Sequence, residues 1–300
     1  MKRPKLKRKT NYGNVIFEKP DYDELRKEYT ILDMHTHSER SHDCQTHLKD
    51  MLKKAAKFGF GLAVTDHVRA ENSIRACKQK KVLVVPGIEV NSIENKELLI
   101  YFYSAKDLQE FYEKYIKPYV TIKKEDKRKI ITKRLQIVIV KKKMQQILEE
   151  SEKYSCLQSI PHPYTLPTRR SHIFYSRKKR RELFKDIEGI EVINASMTRH
   201  INKQAMRWAK KSGKSITGGS DGHTLAEIGS AVVATHATTV EGVLESIRKR
   251  KNLVIGHELK YSQSLRDYIA SQRYKKKEGI QKILHLEKEV HEKLLKEFFK

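Results

Sequence analysis

Four stretches of this chain run from an apolar segment into side chains able to hold a metal ion, and this recurrence limits the fold more than any other feature. Ile31-Leu32-Asp33-Met34 leads into His35-Thr36-His37, and Gly61-Leu62-Ala63-Val64-Thr65 leads into Asp66-His67. Val82-Leu83-Val84-Val85 runs through Pro86-Gly87 to Glu89, and Ser215-Ile216-Thr217-Gly218-Gly219-Ser220 runs into Asp221-Gly222-His223. A further run, Leu157 to Pro161, precedes His162-Pro163-Tyr164. In an extended strand residues i and i+2 face the same way, so His35 and His37 can converge on one ion. Parallel strands closed into a barrel gather chemistry at their C-terminal ends, where ligands scattered in sequence can meet.

The totals bound the rest. A chain of 300 residues can bury a full barrel core, and one large domain with decorations is expected. A mean hydropathy of −0.69 and the lack of a long apolar run exclude a membrane-spanning helix. Cys44, Cys77 and Cys156 are odd in number and share no CxxC spacing, so a disulfide framework is not expected and a cytoplasmic location fits. The first ten residues are strongly basic, with no apolar segment after them to make a secretory signal. They read either as a solvated tail or as an electrostatic arm for phosphate-rich partners.

Apolar residues at helical spacing predict a helix over 46–58 that ends at Gly59, with His47 a surface or cap residue. An amphipathic helix is expected over 107–119. From Thr121 to Lys143 lysine and arginine dominate, and the embedded Leu135–Val140 run is ambiguous between strand and buried helix within an exposed connection. Strand and helix alternate as far as Gly256, the pattern of an α/β fold, and a charge-rich sequence with helical periodicity follows. Asp66 reads as a group that orients a ligating imidazole.

The series His35-Thr-His37, Thr65-Asp-His67, Pro86-Gly-Ile-Glu89, His162-Pro-Tyr164 and Gly219-Ser-Asp221-Gly-His223 resembles the PHP family, named for polymerase and histidinol phosphatase, in order and approximate spacing across residues 31–256. The resemblance implies an α/β fold: a distorted seven-stranded TIM-like β/α barrel, preceded here by a basic segment (1–30) and followed by a helical C-terminal extension (257–300). It implies two or three divalent metal ions, of Mn, Zn, Fe or Mg, and phosphoester hydrolysis. The ligand set it implies is His35, His37, Asp43, His67, Glu89, His162, Asp221 and His223, with His42 a competitor to Asp43. Asp221 would join the His35/His37 ion, His223 the His67 ion, and Glu89 would bridge, as a carboxylate can when its two oxygens bind separately. Glu89, Asp221 and His223 are the residues expected to carry the chemistry.

The main departure from the family is Lys96-Glu97, where many relatives have a histidine. Glu97 reads either as a ligand, whose oxygen chemistry would tilt preference toward Mn²⁺ or Mg²⁺, or as a solvent-facing edge residue. Arg169 and Arg170, close to His162 and followed by the basic run Arg177–Arg181, are candidates to hold phosphate oxygens, as is Arg199; a solvated helix face is the alternative for the run. A net charge of +26 favours a polyanionic partner, so nucleotide or nucleic-acid substrates are expected first and a small phosphorylated metabolite second, attacked by a metal-activated water. Two other readings stay open: an amidohydrolase-type metal hydrolase, which would usually want a bridging lysine, and a catalytically silent, basic nucleic-acid-binding module.

Overall fold

Short runs rich in valine, isoleucine and leucine form the strands, and most are buried along their whole length, as expected when both faces of a sheet are covered. The computed structural model describes residues 14–124, 136–165 and 170–258. The basic first ten residues, Arg169 and the helical periodicity from 259 onward lie outside the described residues.

The strands are β1 (Val15–Ile16), β2 (Thr30–Thr36), β3 (Gly61–Val64), β4 (Val84–Asn91), β5 (Glu97–Phe102), β6 (Val120–Lys124), β7 (Gln136–Val140), β8 (Cys156–Ile160), β9 (Gly189–Asn194), β10 (Ser215–Gly219), β11 (Ala231–Thr235) and β12 (Leu253–Gly256). The α-helices between them are α1 (Tyr22–Leu25), α2 (Leu48–Phe58), α3 (Glu71–Ala76), α4 (Ala105–Phe111), α5 (Met144–Ser151), α6 (Ser171–Ser176), α7 (Arg181–Asp186), α8 (Arg199–Ser212) and α9 (Val240–Arg248).

Among the described residues ten strands share one sheet in the order β1-β12-β11-β2-β3-β4-β5-β8-β9-β10, where seven strands were expected. The larger number comes partly from antiparallel members inserted among the parallel ones: β5 lies between β4 and β8, and β11 between β2 and β12. The sheet curls until the end of β10 meets the end of β2. Asp221 N–H donates to His35 O at 2.8 Å and His37 N–H to Gly222 O at 3.1 Å, closing the sheet at the rim where the ligand motifs sit.

Helix α2 shows how the wrapping helices are held. Leu48, Met51 and Ala55 are buried against Ile31, Leu62 and Val64, while Phe58, expected on the same stripe, is 40% exposed. Burial of Leu48 and of Met51 each contributes about 1.5–3 kcal/mol. Gly59 ends the helix in the left-handed region (φ 71°), which costs glycine least.

Two other expectations change. The helix over 107–119 is α-helical only through Phe111, then takes a wider π turn over Tyr112–Ile116 and a 3-10 turn to Tyr119. The ambiguous apolar run is strand β7, which pairs antiparallel with β6 in a separate two-stranded ribbon. Val138, Ile139 and Val140 are buried, so this part of the basic stretch is packed rather than an exposed connection.

Candidate metal centre

His35 and His37 stand at the end of β2 and are fully buried, with their Nε2 atoms 3.2 Å apart. The sequence spacing produces this directly, because i and i+2 on an extended strand project to one side. His37 Nε2 lies 3.1 Å from Asp221 Oδ1, and His35 Nε2 lies 3.5 Å from the same oxygen. That approach depends on Gly219: a Cβ there would stand 2.4 Å from His35 Cβ and 2.5 Å from its amide nitrogen. Asp221 (φ 53°) and His162 (φ 27°) both occupy left-handed backbone, which turns their side chains away from the path of the strands they follow.

Glu89 is the middle of the cluster. Its Oε2 is 2.9 Å from His67 Nδ1, 3.4 Å from His35 Nε2 and 3.5 Å from His37 Nε2, and its Oε1 is 3.4 Å from His162 Nε2. Despite these approaches neither oxygen makes a hydrogen bond of acceptable geometry among the described residues, and both are buried. A buried carboxylate without donors is costly, and cations set between it and the surrounding imidazoles would remove that cost. On one flank Asp43 Oδ2 stands 3.4 Å from His67 Nε2 and 3.3 Å from His223 Nε2. On the other, Glu97 Oε2 is 3.8 Å from His162 Nε2. Donor atoms fall into overlapping groups that could each hold a metal ion: His35, His37 and Asp221; His37, Asp43, His67 and His223; His35, Glu89 and His162; and His67, Glu89 and Glu97. Nitrogen and oxygen donors in such groups suit a divalent transition metal or Mg²⁺.

The parallel strands β2, β3, β4, β8 and β10 deliver these groups at or just beyond their C-terminal ends, while antiparallel β5 delivers Glu97 from its first residue. Glu97 is 2% exposed, which removes the solvent-facing reading. His42 is buried with its ring 5.1 Å from that of His67, yet only Asp43 joins a ligand group.

A surrounding layer fixes these side chains. Glu191, on β9, was not anticipated: its Oε1 is 2.9 Å from His35 Nδ1, and its Oε2 accepts from His162 N–H and from Asn194 Nδ2. Asn194 Nδ2 also donates to Asp221 Oδ2 at 3.2 Å. The signal available was an acid inside the otherwise apolar Gly189-Ile-Glu-Val-Ile-Asn194, which resembles ordinary strand alternation. Asp66 does not orient an imidazole; it accepts from Ser38 N–H and Ser38 Oγ, both at 2.6 Å, and so ties the β2 and β3 ends together. Asp33 accepts from Ser220 N–H and Oγ, Gly229 N–H and His35 N–H. Glu227 accepts from the amides of His223 and Thr224.

Electrostatics follow from burial among mixed charges. Burial, aided by the neighbouring His223 and His67, holds His37 down to about 3, so it stays neutral with a lone pair to offer. For His223 burial pulls downward, but the Asp43 carboxylate outweighs it and raises the imidazole to about 9. His35 and His67 are raised above the usual histidine range: burial again pulls downward, against Glu191, Asp221 and Glu89 for the first and Glu89 and Asp43 for the second. The Asp221 carboxyl is lowered although burial opposes this, with His35 the largest opposing cause. Four carboxylates in one buried cluster, Asp43, Glu89, Glu97 and Asp221, demand positive charge, which protons or metal ions can supply. Asp33 and Asp66, pushed up by burial to about 6, carry the opposite tendency in the surrounding layer.

Arg170 and Arg199 are both engaged by groups outside the ligand set. Arg199 is held by Glu258 at 2.9 Å and by the carbonyl of Phe17 at 3.2 Å. Arg170 donates through Nε to Thr165 O at 3.0 Å, just after the His162 turn.

An α/β barrel whose curled sheet carries a rim of buried histidines and carboxylates is the class that fold and site define. The family described as PHP-associated matches residues 199–252. A two-domain protein from Bacteroides vulgatus containing a predicted PHP-like metal-dependent phosphoesterase is similar in structure (TM-score 0.55, 16% identity, 85% of this chain and 73% of that one). Endonuclease Q in complex with a 27-mer duplex bearing an abasic lesion is also similar (TM-score 0.57, 16% identity, 77% and 60%), as is the lesion-specific endonuclease PfuEndoQ from Pyrococcus furiosus (0.56, 15%, 75% and 57%). The chain therefore spans well under two thirds of the length of the two endonucleases. No curated protein matches it. At these identities the likeness is one of fold, and the PHP-associated match covers residues 199–252.

Proposed function

We propose that this protein is a divalent-metal-dependent phosphoesterase, with residues 31–256 as the hydrolytic unit and a nucleotide or nucleic acid as substrate. The observation that carries the reading is Glu89, a fully buried carboxylate that makes no well-formed hydrogen bond among the described residues while imidazoles approach both of its oxygens. His35, His37, Glu89 and Asp221 would hold one ion, Asp43, His67 and His223 a second, and Glu89, Glu97 and His162 a third. Such ions supply a hydroxide nucleophile near neutral pH and a clamp on the phosphoryl oxygens.

The chain's own groups then have defined work. Glu191 fixes the His35 ring by accepting a hydrogen bond from Nδ1–H, which leaves Nε2 turned toward Glu89 and Asp221. Asn194 steadies one oxygen of Asp221 and leaves the other toward His35 and His37. Glu227 holds the turn that carries His223. Arg170 stands on the loop after His162, where a substrate phosphate would be within reach of its remaining guanidinium donors. Among the described residues the acid at the centre is Glu89, not a lysine, which favours phosphoester over amidohydrolase chemistry.

The net charge of +26 and the nucleic-acid substrate of the Endonuclease Q complex favour a nucleic-acid substrate over a small metabolite. The test is a panel of phosphomonoesters, phosphodiesters and oligonucleotides assayed with wild-type protein and Asp221→Asn. Turnover that disappears in the variant while its melting temperature stays close to wild type supports the reading; equal turnover in both removes it.

A further inference from the structure

A cavity of about 320 Å³ is lined by residues that belong to none of the ligand groups above. Its walls come from the β4–β5 turn (Glu94, Lys96) and from the segment after the His162 loop (Arg170, Phe174, Arg177, Arg180). Four cationic side chains thus face one carboxylate. That carboxylate is already engaged: Glu94 accepts from the amide of Met144 at 2.9 Å and pairs with Arg180 at 3.3 Å. Arg177 is exposed and the Arg180 side chain is 33% exposed, so an anion has a way in from solvent to side chains whose like charges repel one another. The Arg180 guanidinium lies 4.4 Å from the centroid of the Phe174 ring, which fixes its plane and leaves the fork geometry suited to phosphate oxygens.

Connectivity sets the cavity beside the centre. Lys96 immediately precedes Glu97, and Arg170 is hydrogen-bonded to the loop whose first residue is His162. Both neighbours belong to the same corner of the cluster. The volume lies at the small end of the range for ligand pockets, about 300–1,000 Å³, and is sized for one phosphate with its sugar rather than a folded partner.

We propose that this cavity is a subsite for a flanking backbone phosphate of a nucleic-acid strand whose neighbouring phosphodiester reaches the metal centre. The proposal rests on the phosphoesterase reading and narrows its substrate to a polynucleotide: a simple monoester or nucleoside monophosphate has no second phosphate group to place there.

The experiment measures binding of a labelled single-stranded oligodeoxynucleotide of about a dozen residues to the full chain across a salt series. Wild type is compared with Arg177→Ala and Arg177→Lys, an exposed position where thermal melting verifies folding. Loss of one phosphate contact lowers the slope of log affinity against log salt by about 0.7, and the lysine variant keeps the slope. An unchanged slope in Arg177→Ala overturns the proposal. So does a loss of affinity confined to inorganic phosphate, which would make the cavity a small-anion site. A separate assay of wild type on bis-p-nitrophenyl phosphate tests the metal centre itself. No turnover there, alongside a slope that still falls in Arg177→Ala, would sink the hydrolase reading and leave the strand-binding subsite standing.

Discussion

His35 Nδ1 lies 2.9 Å from Glu191 Oε1, with both side chains almost wholly removed from solvent. The same carboxylate receives the His162 amide and the Asn194 side chain, so one residue of β9 governs three parts of the cluster. Glu191→Gln keeps the shape but turns one of the two accepting oxygens into a donor, so either His35 or the His162 and Asn194 N–H groups lose their acceptor. We expect metal affinity to fall about 10–100-fold, the usual cost of losing the partner of a ligating histidine. Isothermal titration with Mn²⁺ or Zn²⁺ would read it, and unchanged affinity would show that His35 does not depend on this contact.

Gly219 permits β10 to lie against His35. In Gly219→Ala the new methyl group meets backbone as well as side-chain atoms of His35, so relief requires the strands to separate. A destabilisation of about 1–3 kcal/mol is expected from overpacking, together with weaker metal binding. Denaturant unfolding and metal titration on the same preparation measure both; wild-type stability would show that the closure of the sheet is looser than described.

The histidine shifts give a pH dependence with a definite sign. His223 is raised from 6.5 to about 9 in the metal-free protein, so its stabilising contribution is present below 6.5 and lost as pH climbs toward 9. A metal ion needs that imidazole neutral, so binding at pH 7 expels its proton and affinity rises between about 6.5 and 9. His37, held down to about 3, has no proton to release. The gap in melting temperature between metal-loaded and chelator-treated protein should therefore widen with pH across this window, with proton release visible when titrations are repeated in buffers of different ionisation enthalpy. A gap that narrows with rising pH would oppose the assignment of His223 as a ligand.

Glu97 tests the composition of the third group. Glu97→His replaces an oxygen donor by nitrogen and should shift preference from Mn²⁺ or Mg²⁺ toward Zn²⁺. Competition between Mn²⁺ and Zn²⁺, read by metal analysis after dialysis, would show the change; identical metal ratios in the two proteins would place Glu97 outside the coordination sphere.

Much of this arrangement could be read from the chain because strand periodicity is rigid. His35 and His37 must share a face, and apolar runs ending in Asp66-His67, Glu89 or Asp221-Gly-His223 mark strand ends. The groups that steady the ligands were harder to see. Glu191 interrupts an apolar run as a surface-facing residue would, and its role depends on β9 lying near β2 in space, 156 residues away in sequence. Asp66 adjoins a histidine in sequence, but its oxygens turn to Ser38 on the neighbouring strand end. Glu97 was ambiguous because its burial follows from β5 running antiparallel, a direction that hydrophobic pattern does not encode. The same holds for β11 and for the β6–β7 ribbon, which raise the strand number beyond a simple alternation of strand and helix.

The most direct test of the whole account is turnover of a phosphodiester by one preparation as purified, after exhaustive chelation, and after stepwise return of Mn²⁺, with bound metal quantified at each step. The account predicts activity that vanishes with the metal and returns as two or three equivalents rebind. Full activity in metal-free protein, or rebinding of that metal to wild type with no turnover of any phosphoester, would contradict it.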